Sequence, residues 1–304
     1  MAIIVNTNMT ALKTQANLNK ATNTMNATLN RMSTGYKINT SKDDAAGLYI
    51  ANGIETQIRG SKVAKNNIAT GNNVLQIVEG DLNNMLEHLN RIRDLATQAA
   101  NSVYDSATMG AMKLEVDERI KEIERISKSS QFNGLKLLDG TGNLDTAGMR
   151  LQIGANADTN SNSITISASI FTKTDASTLG ANGRNHANAG SSISDTDTVY
   201  TGAAKAFAAA TAAASYISTL SNAIDDISLR KSEIGATMAR LETAEAGLAT
   251  TIENNTAAKS TIMDADIAEE SANFTKSRIL QQTSSALLVQ ANALPSIALN
   301  LISG

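Results

Sequence analysis

Cysteine is absent from the 304 residues, which removes disulfides, zinc–thiolate sites and thiol nucleophiles together. Tryptophan is absent too, and aromatic residues make up only 3% of a chain that is 42% hydrophobic, so no thick core built round large rings is expected. The one proline, Pro295, stands near the C-terminal end. Upstream of it the apolar positions hold Leu, Ile, Met and above all Ala, residues that favour helix. Charge is also weak: 26 Lys and Arg against 29 Asp and Glu leave a net −3, and the cations are scattered, which argues against nucleic acid as a partner. No stretch approaches the ~20 consecutive apolar residues of a membrane helix, so no membrane partner is expected. Met1–Val5 is too short for the apolar core of a cleaved leader, and any export is expected to use a route that removes none.

What is present is a long heptad. From Ala64 the sequence places Ile68, Gly71, Leu75, Val78, Leu82, Met85, Leu89, Ile92, Ala96 and Ala99 at alternating steps of four and three, the ~3.5-residue repeat of a helix with one continuous seam. Far downstream Ile217, Leu220, Ile224, Ile227, Lys231, Ile234, Met238, Leu241, Glu245, Leu248 and Ile252 keep the same spacing, with Lys231 and Glu245 as polar interruptions. The expectation is two rods from distant halves of the chain that pair with each other.

The ends are sparser. In residues 1–34, Ala11, Leu18, Met25, Leu29 and Met32 fit a heptad that Gln15 and Thr22 interrupt. A stripe this thin buries little surface, so the segment is expected to order only against a partner. At the other end, Leu280, Leu287, Leu294, Ile297 and Leu301 are read as one heptad seam. Asp266 with Glu269 three residues on suggests a capping box that opens this last helix. Between the first segment and the opening rod, Gly35 reads as a helix stop and Ser41 or Asp43 as the N-cap of the next helix.

After a break at Asn101-Ser102, a shorter helix with Met112, Val116, Ile120 and Ile123 on one face should lie back along the first rod. Strands are expected at 135–138, 149–153 and 163–167, and 172–202 reads as a surface excursion. The fold class is therefore mainly α: long antiparallel coiled-coil rods, a small β-hairpin region, and paired N- and C-terminal helices.

Particular motifs carry a resemblance. Ile4-Val5-Asn6-Thr7-Asn8, Ile38-Asn39 with Asp43-Asp44-Ala45-Ala46-Gly47, Gln131-Phe132-Asn133-Gly134 and Leu151-Gln152-Ile153-Gly154-Ala155-Asn156 stand in the N-terminal half. Asp264-Ala265-Asp266-Ile267-Ala268-Glu269-Glu270 and Gln290-Ala291-Asn292-Ala293-Leu294-Pro295 stand in the C-terminal half. In this order they resemble bacterial flagellin, in a short form without large outer domains.

The resemblance implies a structural subunit that polymerises with itself into the flagellar filament for motility, secreted and extracellular, and exported by the flagellar type III system. It implies an inner terminal coiled-coil domain from 1–44 plus 258–304, a helical-rod shell domain from 45–181 plus 203–257, and a short variable loop at 182–202. Its implied partners are an export chaperone and the hook–filament junction and cap proteins. Assembly would fall to Leu18, Met25, Leu29, Met32, Leu280, Leu287, Leu294 and Ile297, with Ser191 and Ser192 as glycosylation candidates. Arg91, Leu95 and Glu115 match the stretch through which some flagellins engage Toll-like receptor 5, and Arg91 and Leu95 lie four apart, on one helical face. Alternatives are a hook–filament junction protein and a monomeric coiled-coil adaptor.

Chemistry finds little foothold. His88 and His186 have no second ligand at metal-binding spacing, and the neighbours in Asp43-Asp44 and Asp225-Asp226 point in different directions on a helix. No zinc-protease, phosphate-loop or triad signature is present in the sequence. The expectation is a protein that is not an enzyme and needs no cofactor or metal.

Overall fold

The computed structural model describes residues 8–101, 103–141, 144–158, 161–179, 199, 203 and 210–303, with side chains left out at 210, 211, 214 and 294–303. The elements in chain order are α1 (Met9–Thr34), α2 (Ala45–Ala99), α3 (Ser106–Ser129), β1 (Gln131–Phe132), β2 (Leu135–Lys136), α4 (Leu144–Ala147), β3 (Met149–Gln152), β4 (Ser163–Ile166), α5 (Ala168–Phe171), α6 (Ala210–Met263) and α7 (Ile267–Ser303). The chain divides into two compact units, residues 59–252 and residues 1–58 with 253–304.

In the unit of residues 59–252, every member of the Ala64–Ala99 heptad is buried. On α6 the seam is uneven: Leu220, Ile227, Ile234 and Leu241, seven apart, are fully covered, whereas Ile217, Ile224 and Met238 are half-buried. The two rods share one hydrophobic cluster with Val116, Ile120, Ile123 and Ile126 of α3. The polar interruption at Glu245 meets Lys65 at 3.4 Å, a half-exposed pair that marks register and adds little stability. Gly71 falls on the seam where the β3–β4 hairpin docks, and a Cβ there would lie 2.2 Å from Leu151 Cδ1.

The strands differ from the sequence expectation in one place. The strand expected at 135–138 is only two residues long: β2 pairs antiparallel with β1 across Asn133-Gly134, while Leu137 and Leu138 leave the ladder to enter the core. There, buried Ser127 Oγ donates to the Leu138 carbonyl at 2.7 Å. β3 and β4 pair antiparallel in the register Met149↔Ile166 to Gln152↔Ser163. The buried Arg230 of α6 donates from Nη1 to the Thr172 carbonyl at 2.9 Å and also to Thr174 Oγ1, which ties the segment after α5 to the rod.

In the unit formed by the two ends, Gly35 terminates α1 in the left-handed conformation (φ 74°) and donates to the Arg31 carbonyl at 2.8 Å, the arrangement only glycine adopts without penalty. The two linkers then lie side by side: the Lys37 amide donates to the Met263 carbonyl at 2.7 Å and the Ala265 amide to the Gly35 carbonyl at 2.9 Å. Ile38, Ala51 and Met263 form a small core beneath them.

Neither expected cap opens α2. Asp44 Oδ1 accepts from the amides of Ala46 and Gly47 at 3.0 and 2.9 Å, while Asp43 Oδ2 turns back to accept from the amides of Asn39 and Thr40 and from Thr40 Oγ1. Asp266 Oδ1 accepts from the amides of Ala268 and Glu269 at the start of α7, the capping role expected of it. α6 continues beyond Ile252 to Met263, and Lys259 meets Glu55 at 2.8 Å.

Candidate assembly surface

α1 and α7 lie antiparallel. Arg31 Nη1 reaches Glu270 Oε1 at 3.3 Å, Gln281 Nε2 donates to Thr22 Oγ1 at 3.2 Å, and Asn8 Nδ2 donates to the Ala291 carbonyl at 2.7 Å. The residues between these contacts define the seam by burial. Ala11, Thr14, Leu18, Ala21, Met25, Thr28 and Met32 line it on α1, and Glu270, Phe274, Ser277, Gln281, Ser284, Leu288 and Ala291 line it on α7. Ala, Ser and Thr hold half of these positions and contribute little apolar burial, and Leu18, Met25, Met32, Phe274 and Leu288 supply most of what there is.

Two expectations change here. Residues 9–34 are helical within the single chain, because the chain's own C-terminal helix covers their thin stripe. The leucines read as a terminal seam also do not close the pair: Leu280 is 49% and Leu287 55% exposed, and Leu29 is exposed on α1. They sit one position round from the true seam of 281, 284 and 288, and one residue on an α-helix is a rotation of ~100°. Leu18, Met25 and Met32 are half-buried in the pair. The side chains of Leu294, Ile297 and Leu301 lie outside the described residues, as do Ser191, Ser192, His186 and the loop 182–202 apart from Val199.

The exposed leucines join other uncovered apolar side chains. Met9 and Leu12 of α1 and Ile279 and Val289 of α7 are exposed as well. A groove of about 620 Å³ runs along one flank of the seam, lined by Lys20, Thr24, Asn273, Leu280 and Leu287 among others. A second, of about 650 Å³, follows the other flank past Leu18, Thr22, Gln281 and Val289. The pair thus keeps Leu18, Met25, Met32, Phe274 and Leu288 partly covered in its seam and leaves Met9, Leu12, Leu29, Ile279, Leu280, Leu287 and Val289 exposed, more uncovered apolar surface than a self-sufficient coiled coil shows.

A second candidate surface lies in the other unit. Arg91 Nε donates to Glu115 Oε1 at 3.0 Å and Nη2 to Oε2 at 3.4 Å, a two-pronged pair that Arg119 joins through Nη2 at 3.0 Å. Hydrogen bonds from Arg91 and then Arg119 hold the Glu115 carboxyl below its ordinary range, and the bond to Glu115 raises the Arg91 guanidinium. Leu95 does not join them. It is 3% exposed, inside the core, because the seam residues Ile92, Ala96 and Ala99 turn that part of α2 inward. The exposed leucine nearest in sequence to Glu115 is Leu114. His88 lies 3.4 Å from Arg119 through Nδ1. Among the described residues no three His, Asp or Glu side chains are grouped to hold a metal ion, and no described helix is long and apolar enough to cross a membrane.

Fold and surface define a class: a long-helix protein whose two chain ends pair with each other and leave an apolar surface uncovered. The comparisons give the family. Residues 5–143 match the bacterial flagellin N-terminal helical region and residues 217–302 the bacterial flagellin C-terminal helical region. The chain is 35% identical to the flagellin of Bacillus subtilis across 98% of its own length and 99% of that protein. It is 33% identical to flagellin FlaB2 of Treponema pallidum, and 33% to the flagellar filament 30.7 kDa core protein of Treponema maltophilum, across 99% of its length and 100% of each. The crystal structure of Bacillus cereus flagellin aligns with 60% of this chain and 88% of its own at a TM-score of 0.43 and 22% identity. The chain belongs to the bacterial flagellin family, a family of structural proteins that form the filament core.

Proposed function

We propose that the chain adds to a growing flagellar filament by burying the apolar residues that α1 and α7 leave exposed. The observation that carries this is the outward placement of Met9, Leu12, Leu29, Leu280 and Leu287 on a pair whose own seam covers Leu18, Met25 and Met32 only in part. Surface of this kind gains ~25 cal/mol for each Å² that a neighbour covers. In this reading 1–44 with 258–304 form the inner layer of the filament, 45–181 with 203–257 the shell, and 182–202 an outer loop. The chain would leave the cell through the flagellar export system with a chaperone covering α7, and would meet the junction and cap proteins at the filament's ends. Electron microscopy of the purified chain after seeding tests the central claim: filaments are expected, and protein that stays monomeric with competent seeds overturns it.

We also propose a finer role for the Arg91–Glu115 pair, as a contact for Toll-like receptor 5. An exposed arginine held in a two-pronged charged pair is of the side-chain type enriched at interface hot spots. Arg91→Ala should lower the signal in a receptor reporter assay. An unchanged signal, or none from the wild type, overturns it.

A further inference from the structure

Asn–Gly pairs occur at 52–53, 133–134 and 182–183, and the two described ones, both exposed and both with open space at the glycine, differ in their backbone. Asn133 and Gly134 form the two-residue turn between β1 and β2, with Phe132 paired to Leu135. Their φ values are 49° and 80°, the left-handed pair that tight hairpin turns require. Both residues are exposed, and nothing lies within 4 Å of where a Cβ on Gly134 would stand. In such a hairpin the ladder is carried by the residues flanking the turn, here Phe132 and Leu135, so the Gly134 amide is not committed to it. Asn52 and Gly53, by contrast, lie inside α2, where each amide donates to the carbonyl four residues back.

We propose that Asn133 is a site of spontaneous deamidation and isoaspartate formation. The Gly134 nitrogen gives its proton to hydroxide and attacks the side-chain Cγ of Asn133. A nitrogen–Cγ bond forms, the Cγ–Nδ2 bond breaks, and Nδ2 leaves as ammonia after taking a proton from solvent. Water then opens the cyclic imide, at Cγ to give aspartate or at the backbone carbonyl to give isoaspartate. One water is consumed and one ammonia released, with no change of oxidation state. Glycine at 134 offers no side chain to block the approach, and a ladder of two residue pairs opens at small cost. The isoaspartyl product puts an extra methylene into the backbone of a two-residue turn, so the Phe132↔Leu135 register cannot survive it. Each event also adds a negative charge to this face.

The test uses the full chain. Purified protein is held in mildly alkaline buffer, sampled over days and digested, and isoaspartate is measured peptide by peptide by mass spectrometry and enzymatic methyl transfer. In the native chain Asn133 should react faster than Asn52 by about tenfold or more, because the helix interior must open first. In denaturant the two rates should converge, which separates the effect of structure from that of sequence. Asn133→Gln should remove the signal from its own peptide only. Native rates that are equal, or slower at Asn133, overturn the proposal, and neither result depends on whether the chain polymerises.

Discussion

Gly148 enters strand β3 with a φ of 70°, and a Cβ there would meet the Ile166 carbonyl oxygen at 2.2 Å. Left-handed backbone and a backbone atom in the way are two independent penalties, so Gly148→Ala should cost about 2 kcal/mol or more in urea unfolding. Asp175 offers a pH test. Burial alone would raise its carboxyl, but Lys173 Nζ at 2.6 Å, Ser177 Oγ at 2.6 Å and Thr178 Oγ1 at 3.0 Å outweigh that and hold it below the ordinary 3.8. A depressed folded-state pKa contributes stability above the unfolded value and loses it as the pH falls through the folded one. The melting-temperature advantage of wild type over Asp175→Asn should therefore be full at neutral pH and shrink as the pH drops below about 3.8. Sequence alone was least decisive at this scale. Asp43-Asp44 announced a helix start, but which carboxylate caps α2 depends on the path of the loop, and Asp43 is drawn back to the amides of Asn39 and Thr40. The amide of Thr40 above all lowers its pKa.

Among the elements, the α2 heptad could be read completely, since all its positions are buried. A strict repeat of apolar residues leaves only one possible seam. The α7 heptad misled because its leucines at 280 and 287 lie beside a seam whose middle, Ser277, Gln281 and Ser284, hydrophobicity does not mark. These two kinds of leucine should respond differently to mutation. Leu82→Ala, in the closed core, should cost ~3 kcal/mol of monomer stability. Leu280→Asp and Leu287→Asp should leave the monomer within about 0.5 kcal/mol of wild type while suppressing seeded elongation, read by light scattering. Normal elongation by both aspartate variants would place the assembly contact elsewhere.

For the molecule as a whole, the ends act together. Deleting residues 1–34 removes α1 from the pair and uncovers the Ser277 and Ala291 side of α7. The truncated chain should keep the far-ultraviolet helical signal of residues 59–252, whose core contains no residue of α1, and should not polymerise. Filaments from it would overturn the assembly mechanism. The low aromatic content, the single late proline and the two long heptads determined by themselves that the chain forms long helices and that its distant halves meet, because periodicity and propensity act locally and accumulate along a rod. Which face of each terminal helix turns inward was decided only by tertiary structure. Stripes one residue apart on α7 both carry leucines, and the one that α1 covers is that of Phe274, Ser277, Gln281, Ser284 and Leu288. That choice leaves Leu280 and Leu287 outward, where another subunit can reach them.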